Sequence, residues 1–233
     1  MSDLRASRIL LPALAAATVA ATLSLAPHTV RAADNLSAVL AQMDASSKNF
    51  HSAEASVKKE QYDRLVHDTT TETGTMYFQR NSAAIQMGAK FDPPSAQIVE
   101  YKNGIARLYS PSTNHLDTYS ADKNKSQMDT FVTLGFGGTG TDLAKTWNIT
   151  DQGSETIDGT KVEKLDLVSK DPGVKANFNH ITLWVDPARD ISLKQEFFEP
   201  GGNTNTVTYS NVRYNQPIKD TAAYAIKCKG ACN

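Results

Sequence analysis

From about Ala53 to Tyr214 the apolar residues of this chain recur at every second position in short runs rich in Thr, Val, Tyr and Phe, and each run stops at Asn, Gly, Pro or Asp. A period of two is that of a strand with one buried face. The clearest runs are residues 74–80, 97–101, 105–109, 162–168, 178–185, 191–198 and 206–214. Their connections are turn-like: Lys102-Asn103-Gly104, Asp158-Gly159, Asp186-Pro187 and Pro200-Gly201-Gly202-Asn203. Such a series predicts antiparallel strands in a meander. The alternation is clean where Ile181, Leu183 and Val185 oppose His180, Thr182 and Trp184, and where Leu165 and Leu167 oppose Lys164 and Asp166.

Two segments depart from this period. Asp34 and Asn35 offer a helix N-cap, and Leu36, Val39, Leu40 and Met43 follow at spacings of three and four. Between Ser126 and Lys145, Met128, Phe131, Val132 and Leu134 lie at helical spacing, ahead of a glycine-rich loop and a short segment around Leu143. A large sheet must cover its apolar face or close on it. With so few helices the economical arrangement is mainly β with a helical lid (α+β). It is an incomplete antiparallel β-barrel, a half-barrel of about ten to eleven strands, with helices over the concave apolar face. An interior of this kind can hold a ligand where side chains leave it unfilled.

The N-terminus sets the compartment. Arg5 and Arg8 precede an Ala/Leu/Thr stretch from Ile9 to Ala26, and Val30-Arg31-Ala32 places small residues where a signal peptidase inspects them. Residues 1–32 are therefore expected to be a cleaved secretory signal. The stretch is mostly Ala, interrupted by Pro12, Thr18, Thr22 and Ser24, so it partitions weakly into a bilayer and no stable membrane insertion is expected. Residues 33–226 suit one domain. The last six residues hold the only cysteines, Cys228 and Cys232. In an exported chain these are expected to pair, since two sulfurs with no nearby His supply only half a zinc shell and no metal is expected. The formal net charge of −1, with no basic block, is unlike a nucleic-acid binder.

The order of features has a resemblance. The first helix, Ser47-Lys48-Asn49-Phe50, paired strands with Met76-Tyr77-Phe78-Gln79-Arg80, Pro93-Pro94 through Gln97-Ile98-Val99, Asn103-Gly104, Leu108-Tyr109-Ser110-Pro111, a helical insertion and Tyr209-Ser210-Asn211-Val212-Arg213 together resemble the LolA family of periplasmic lipoprotein carriers. The resemblance runs from about Asn35 to Ile226. It implies a soluble periplasmic carrier, expected to be monomeric, that takes triacylated lipoproteins from an inner-membrane ABC exporter to an outer-membrane acceptor. It also implies an apolar cavity under a lid, and a latch at Arg80, matching the family arginine that ties the lid down. Asn81 stands where the family usually has Pro, and Ile85 where its next strand has an aromatic. The acceptor form of this fold would carry a lipidated Cys after the signal, and Ala33 stands there instead.

Alternation puts Met76, Phe78 and Arg80 on one face, so a guanidinium with five fixed donors ends an apolar row. The candidate acyl-chain residues are Met76, Phe78, Ile85, Met87, Ile98, Leu108, Phe131, Leu134, Ile181 and Leu183. Ordinary core packing uses the same residue types. Trp184 is out of phase with Ile181 and Leu183 and is the weaker candidate. A carrier of this kind answers a physical need: at about 0.8 kcal/mol per methylene, a chain of about sixteen carbons is disfavoured in water by roughly 12 kcal/mol. The same fold could serve instead as a lipid-binding or lipid-sensing module without lipoprotein transfer.

Gly135-Phe136-Gly137-Gly138-Thr139-Gly140 fits the dinucleotide fingerprint letter for letter, but that motif needs a strand before it inside a parallel unit. In an antiparallel exported chain a lid hinge is the expected role, and no cofactor is expected. The histidines are dispersed and no nucleophile elbow is present, so no enzyme is expected.

Overall fold

The structure, a computed structural model, describes residues 32–82, 84–120 and 134–232. The expected signal segment, apart from Ala32, and most of the expected helical insertion, including Phe131, lie outside the described residues. Helix α1 (Ala32–Ser47) precedes strands β1 (Ser52–Asp63), β2 (Asp68–Asn81), β3 (Ala84–Phe91), β4 (Gln97–Lys102), β5 (Ile105–Ser110) and β6 (His115–Ser120). Then come α2 (Gly140–Thr146), β7 (Trp147–Ile157), β8 (Thr160–Ser169), the single turn α3 (Pro172–Lys175), β9 (His180–Asp186), β10 (Ile191–Phe198) and β11 (Thr204–Tyr214). A 3-10 turn, Thr221–Tyr224, opens the tail.

All eleven strands form one sheet in the order β6-β5-β4-β3-β2-β1-β11-β10-β9-β8-β7, and its pairings are antiparallel. The two halves of the chain meet at its centre, where β1 pairs with β11, and among the described residues β6 and β7 form its two edges. The sheet is thus an open half-barrel. The tight hairpins are made by residues that tolerate a left-handed backbone: Asn103 and Gly104 take φ of 54° and 76°, Asp158 and Gly159 take 47° and 74°.

The inner face is covered twice. Val39 and Met43 of α1 pack on Leu165, Leu167, Ile181 and Leu183, with Leu36 and Leu40 beside them, as the helical spacing predicts. Burying each such side chain is worth about 1.5–3 kcal/mol. The second cluster lies over β1 to β3 and β11, where Phe50, Phe78, Phe136 and Tyr209 meet. The inner positions of β1 there are Ala53, Ala55 and Val57. These small residues leave room above the centre of the sheet.

The tail crosses the outer face. Tyr224 meets Tyr77 edge-on with ring centroids 4.8 Å apart. Buried Glu54 pairs with Arg213 and accepts from the Tyr224 hydroxyl at 3.3 Å. Gly88 lies beneath this contact, where an added Cβ would meet the Tyr77 ring at 2.3 Å. Cys228 and Cys232 are joined in a disulfide, and Asn114 holds that loop by accepting from Lys229 N at 2.9 Å and donating to Ala231 O at 2.8 Å. A ring this small removes little chain entropy. Cys228→Ser with Cys232→Ser is therefore expected to raise amide exchange in residues 224–232 while moving the global unfolding midpoint by less than about 4 °C, roughly 1 kcal/mol for a domain this size. Calorimetry paired with hydrogen exchange reads both, and a cooperative loss of the whole fold would contradict it.

Candidate functional site

The site grows out of strand register. On the inner face Ala53, Ala55, Val57 and Lys59 of β1 stand opposite Phe78, Met76, Gly74 and Glu72 of β2. Phe78, Met76 and Gly74 in turn stand opposite Met87, Ala89 and Phe91 of β3, and Arg80 opposite Ile85. The row continues through Val99 to Leu108. Met76, Phe78, Ile85, Met87 and Leu108 therefore share the inner face with Arg80.

Ile98 does not. It pairs with Lys90 and Tyr109 on the opposite face. Its assignment to the cavity is corrected: the β3–β4 turn sets Gln97, Val99 and Tyr101 inward, and a shift of one residue inverts a strand's faces. Ile181 and Leu183 do face inward, but α1 covers them completely and they are ordinary core. Leu134 is likewise buried beneath α1. Trp184 lies on the outer face, as its phase predicts, with Lys164 and Lys194 ammonium groups 5.0 and 4.2 Å from the ring.

Beside these rows lies a cavity of about 290 Å³. Met76 and Phe91 form one wall, Phe178 and Phe197 the other, and Gln195, Asn205, Val207 and Tyr209 the floor between them. Lys59 stands at its rim, ion-paired to Glu72 at 3.1 Å. Among the described residues, Met76 is the one sequence candidate that lines it. Residues of β10 and β11 were missed, although the period of two in Gln195/Phe197 and Asn205/Val207/Tyr209 could have marked them once one residue's facing was known. The volume lies just below the usual range for ligand sites, and Phe136 does not line the cavity but packs on Tyr209, which does. Phe136 is fully buried, stacked on Phe78 at 3.8 Å with the rings 8° apart, and meets Tyr209 edge-on at 5.0 Å.

Phe136 is carried by the loop 134–139, which is tied down by polar contacts to elements far away in sequence. Arg80 Nη2 donates to Gly137 O at 2.6 Å and to Ser47 O at 3.3 Å, and its Nε donates to Phe50 O at 3.1 Å. Gln195 Nε2 donates to Leu134 O at 2.5 Å, and the Gln195 Oε1 accepts from the Tyr209 hydroxyl at 3.4 Å. Ser192 N donates to Gly135 O, and Gly137 N to Asp190 O. The glycines serve close approach rather than a free hinge: a Cβ at Gly135 would meet Ser192 at 2.3 Å, and one at Gly137 would meet the Phe50 ring at 2.5 Å. Both take positive φ.

Removing one member of a buried polar chain leaves its partners desolvated and unpaired, at about 1–3 kcal/mol. Gln195→Leu is thus expected to lower stability by about that amount and to speed amide exchange in residues 134–140 first. Unchanged exchange there would show that Gln195 does not hold the loop.

Electrostatics set two groups apart. Burial pushes the Tyr209 phenol well above its usual range. Burial also raises the Asp190 carboxyl to about 8, against an opposing pull from the Arg80 guanidinium. Among the described residues no group of three His, Cys, Asp or Glu side chains is placed to hold a metal. His180, which contacts Asp166 at 2.5 Å, faces outward from the cavity and stacks on Phe198. Among the described residues no helix is long and apolar enough to cross a membrane.

Similar architecture occurs in solved structures. MucB superposes with a TM-score of 0.51 at 13% identity, over 79% of this chain and 61% of that one. The Pseudomonas aeruginosa MucA/MucB complex gives 0.50 at 12% identity, over 82% and 61%. The LolA superfamily protein NE2245 from Nitrosomonas europaea gives 0.39 at 14% identity, over 78% and 94%. The chain thus spans about three fifths of the MucB chains it matches, and at these identities the likeness is one of fold. No family model matches the sequence, and no curated protein matches it.

Proposed function

We propose that this chain, an open antiparallel half-barrel, is a periplasmic carrier, not an enzyme, that shelters the acyl chains of lipoproteins and passes them from an inner-membrane exporter to an outer-membrane acceptor. The observation that carries this reading is an apolar cavity that shares Tyr209 with the packing of Phe136, on a loop fastened by hydrogen bonds from Arg80 and Gln195. Burying methylenes of a single chain yields enough free energy to displace such a loop, since each is worth about 0.8 kcal/mol and each tie about 0.5–3 kcal/mol. Phe136 packs on Tyr209 of the cavity floor in the closed structure, so its displacement would enlarge the space open to a chain. A closed population lowers apparent affinity in proportion, and a carrier needs that in order to let go.

The experiment is native mass spectrometry of protein recovered from the periplasm, before and after incubation with membranes energised for lipoprotein export. A bound triacylated lipoprotein that moves on to outer membranes is the expected result. Free lipid with no lipoprotein transfer would overturn the carrier role and leave a lipid-binding or lipid-sensing module on the same fold.

A further inference from the structure

Asp190 is a buried carboxylate that the closed structure leaves unused. It is 0% exposed, and among the described residues neither side-chain oxygen has a hydrogen-bond partner. It also sits at φ 53° in the β9–β10 turn, a left-handed conformation. A group that is desolvated and unpaired costs free energy and calls for an explanation. Its position supplies one. Gly137 bridges Asp190 and Arg80: the Gly137 N–H donates to the Asp190 carbonyl at 3.0 Å, while the Gly137 carbonyl accepts from Arg80 Nη2 at 2.6 Å.

We propose that Asp190 is the second seat of Arg80: when the loop lifts, the guanidinium released from Gly137 O turns to the Asp190 carboxylate, so the open state is held by an ion pair that the closed state lacks. This deepens the carrier reading and rests on it for its purpose, though not for its test. Five fixed donors let Arg80 keep Phe50 O through Nε while the Nη2 arm that served Gly137 O and Ser47 O is reassigned. The loop would then exchange one set of contacts for another instead of merely losing one, which gives it two discrete positions.

The charged and titratable groups around Asp190 are Arg80 on β2, Asp44 on α1, Tyr214 on β11, and Asp186 and Arg189 in its own turn. Asp44 is held below the usual carboxylate range, chiefly by hydrogen bonds from Thr141, so it stays charged. Tyr214 is raised above its ordinary value by burial. Arg189 is engaged with Asp186 at 2.6 Å. Asp190, raised to about 8, changes charge around that pH. The sign follows: the closed state holds the proton up to about pH 8, whereas the ion-paired open state has released it. Opening therefore gains with rising pH, approaching tenfold per unit, and levels off above about 8.

The test uses the empty protein, so failure of lipoprotein binding would leave it decisive. The protection factor of the Gly137 amide measures opening, with the base catalysis of exchange divided out. A His51→Gln background removes the imidazole of the residue whose carbonyl accepts from Arg80 N. In wild type, protection is expected to fall with pH up to about 8 and then hold. In Asp190→Asn, a residue that also tolerates positive φ, protection should not vary with pH. A double-mutant cycle of Arg80→Leu with Asp190→Asn, run near pH 9, should show coupling that favours opening by about fivefold or more. If Asp190→Asn does not fold, the Asp190 carboxyl is titrated directly by carbon NMR in wild type, where a midpoint near 8 that coincides with the change in protection is expected. A pH-independent wild type, a cycle with no coupling, or a carboxyl titrating in the ordinary range would each overturn the proposal.

Discussion

Arg80→Leu is expected to bind a pyrene-labelled palmitoyl amide more tightly than wild type and to release it to phospholipid vesicles about ten- to a hundredfold more slowly. The substitution removes three charge-assisted bonds to backbone carbonyls, and the one to Gly137 belongs to the loop itself. A hydrogen bond to a charged group is worth about 1.5–3 kcal/mol, and that difference is a factor of about ten to a hundred in an equilibrium. Because the apparent dissociation constant scales inversely with the competent fraction, loss of the closed state tightens binding by up to the same factor, offset in part by loss of the Arg80–Asp190 pair proposed for the open state. Stopped-flow transfer of the probe reads the release. Equal release rates for the two proteins would remove the latch role from Arg80.

Phe136→Ala is the second large effect, and it runs in two directions. The ring is fully buried between Phe78 and Tyr209, and truncating such a ring costs about 3–5 kcal/mol. For a domain of this size the thermal midpoint should fall by roughly 10 °C. The space that opens adjoins Tyr209 of the cavity floor and Phe78 of the inner row, so the same variant is expected to bind the palmitoyl probe more tightly and to recover much of its thermal stability on binding it. A core residue without a gating role would lose the stability and gain no affinity. Calorimetry with and without probe separates the two.

How much of this was legible before the structure differs from element to element. The runs at 191–198 and 206–214 became β10 and β11 with little change, because alternating large apolar residues mark a half-buried strand from local sequence alone. Strand β1 was not among the clear runs, since its inner positions are Ala53 and Ala55, and small residues carry a weak period. The polar edge strand β7 escaped for a related reason: its ladder to β8 shifts register between Asp151 and Ser154, which breaks the alternation. Arg80 was legible because it closes the Met76–Phe78 row. Its three acceptors were not, being backbone carbonyls.

By itself the sequence determined the antiparallel, mainly β architecture, the amphipathic helix α1, the hairpin turns and the proximity of Cys228 to Cys232. Each of these follows from residues within a few positions of one another. Only the tertiary structure decided that Ile98 faces outward, that Ile181 and Leu183 are sealed under α1, and that β10 and β11 line the cavity. It alone brought Gln195 to Leu134 and both Arg80 and Asp190 to Gly137. Alternation says that successive side chains differ in facing, but it leaves open which set faces inward. Register across the sheet fixes that, and register is a property of paired strands.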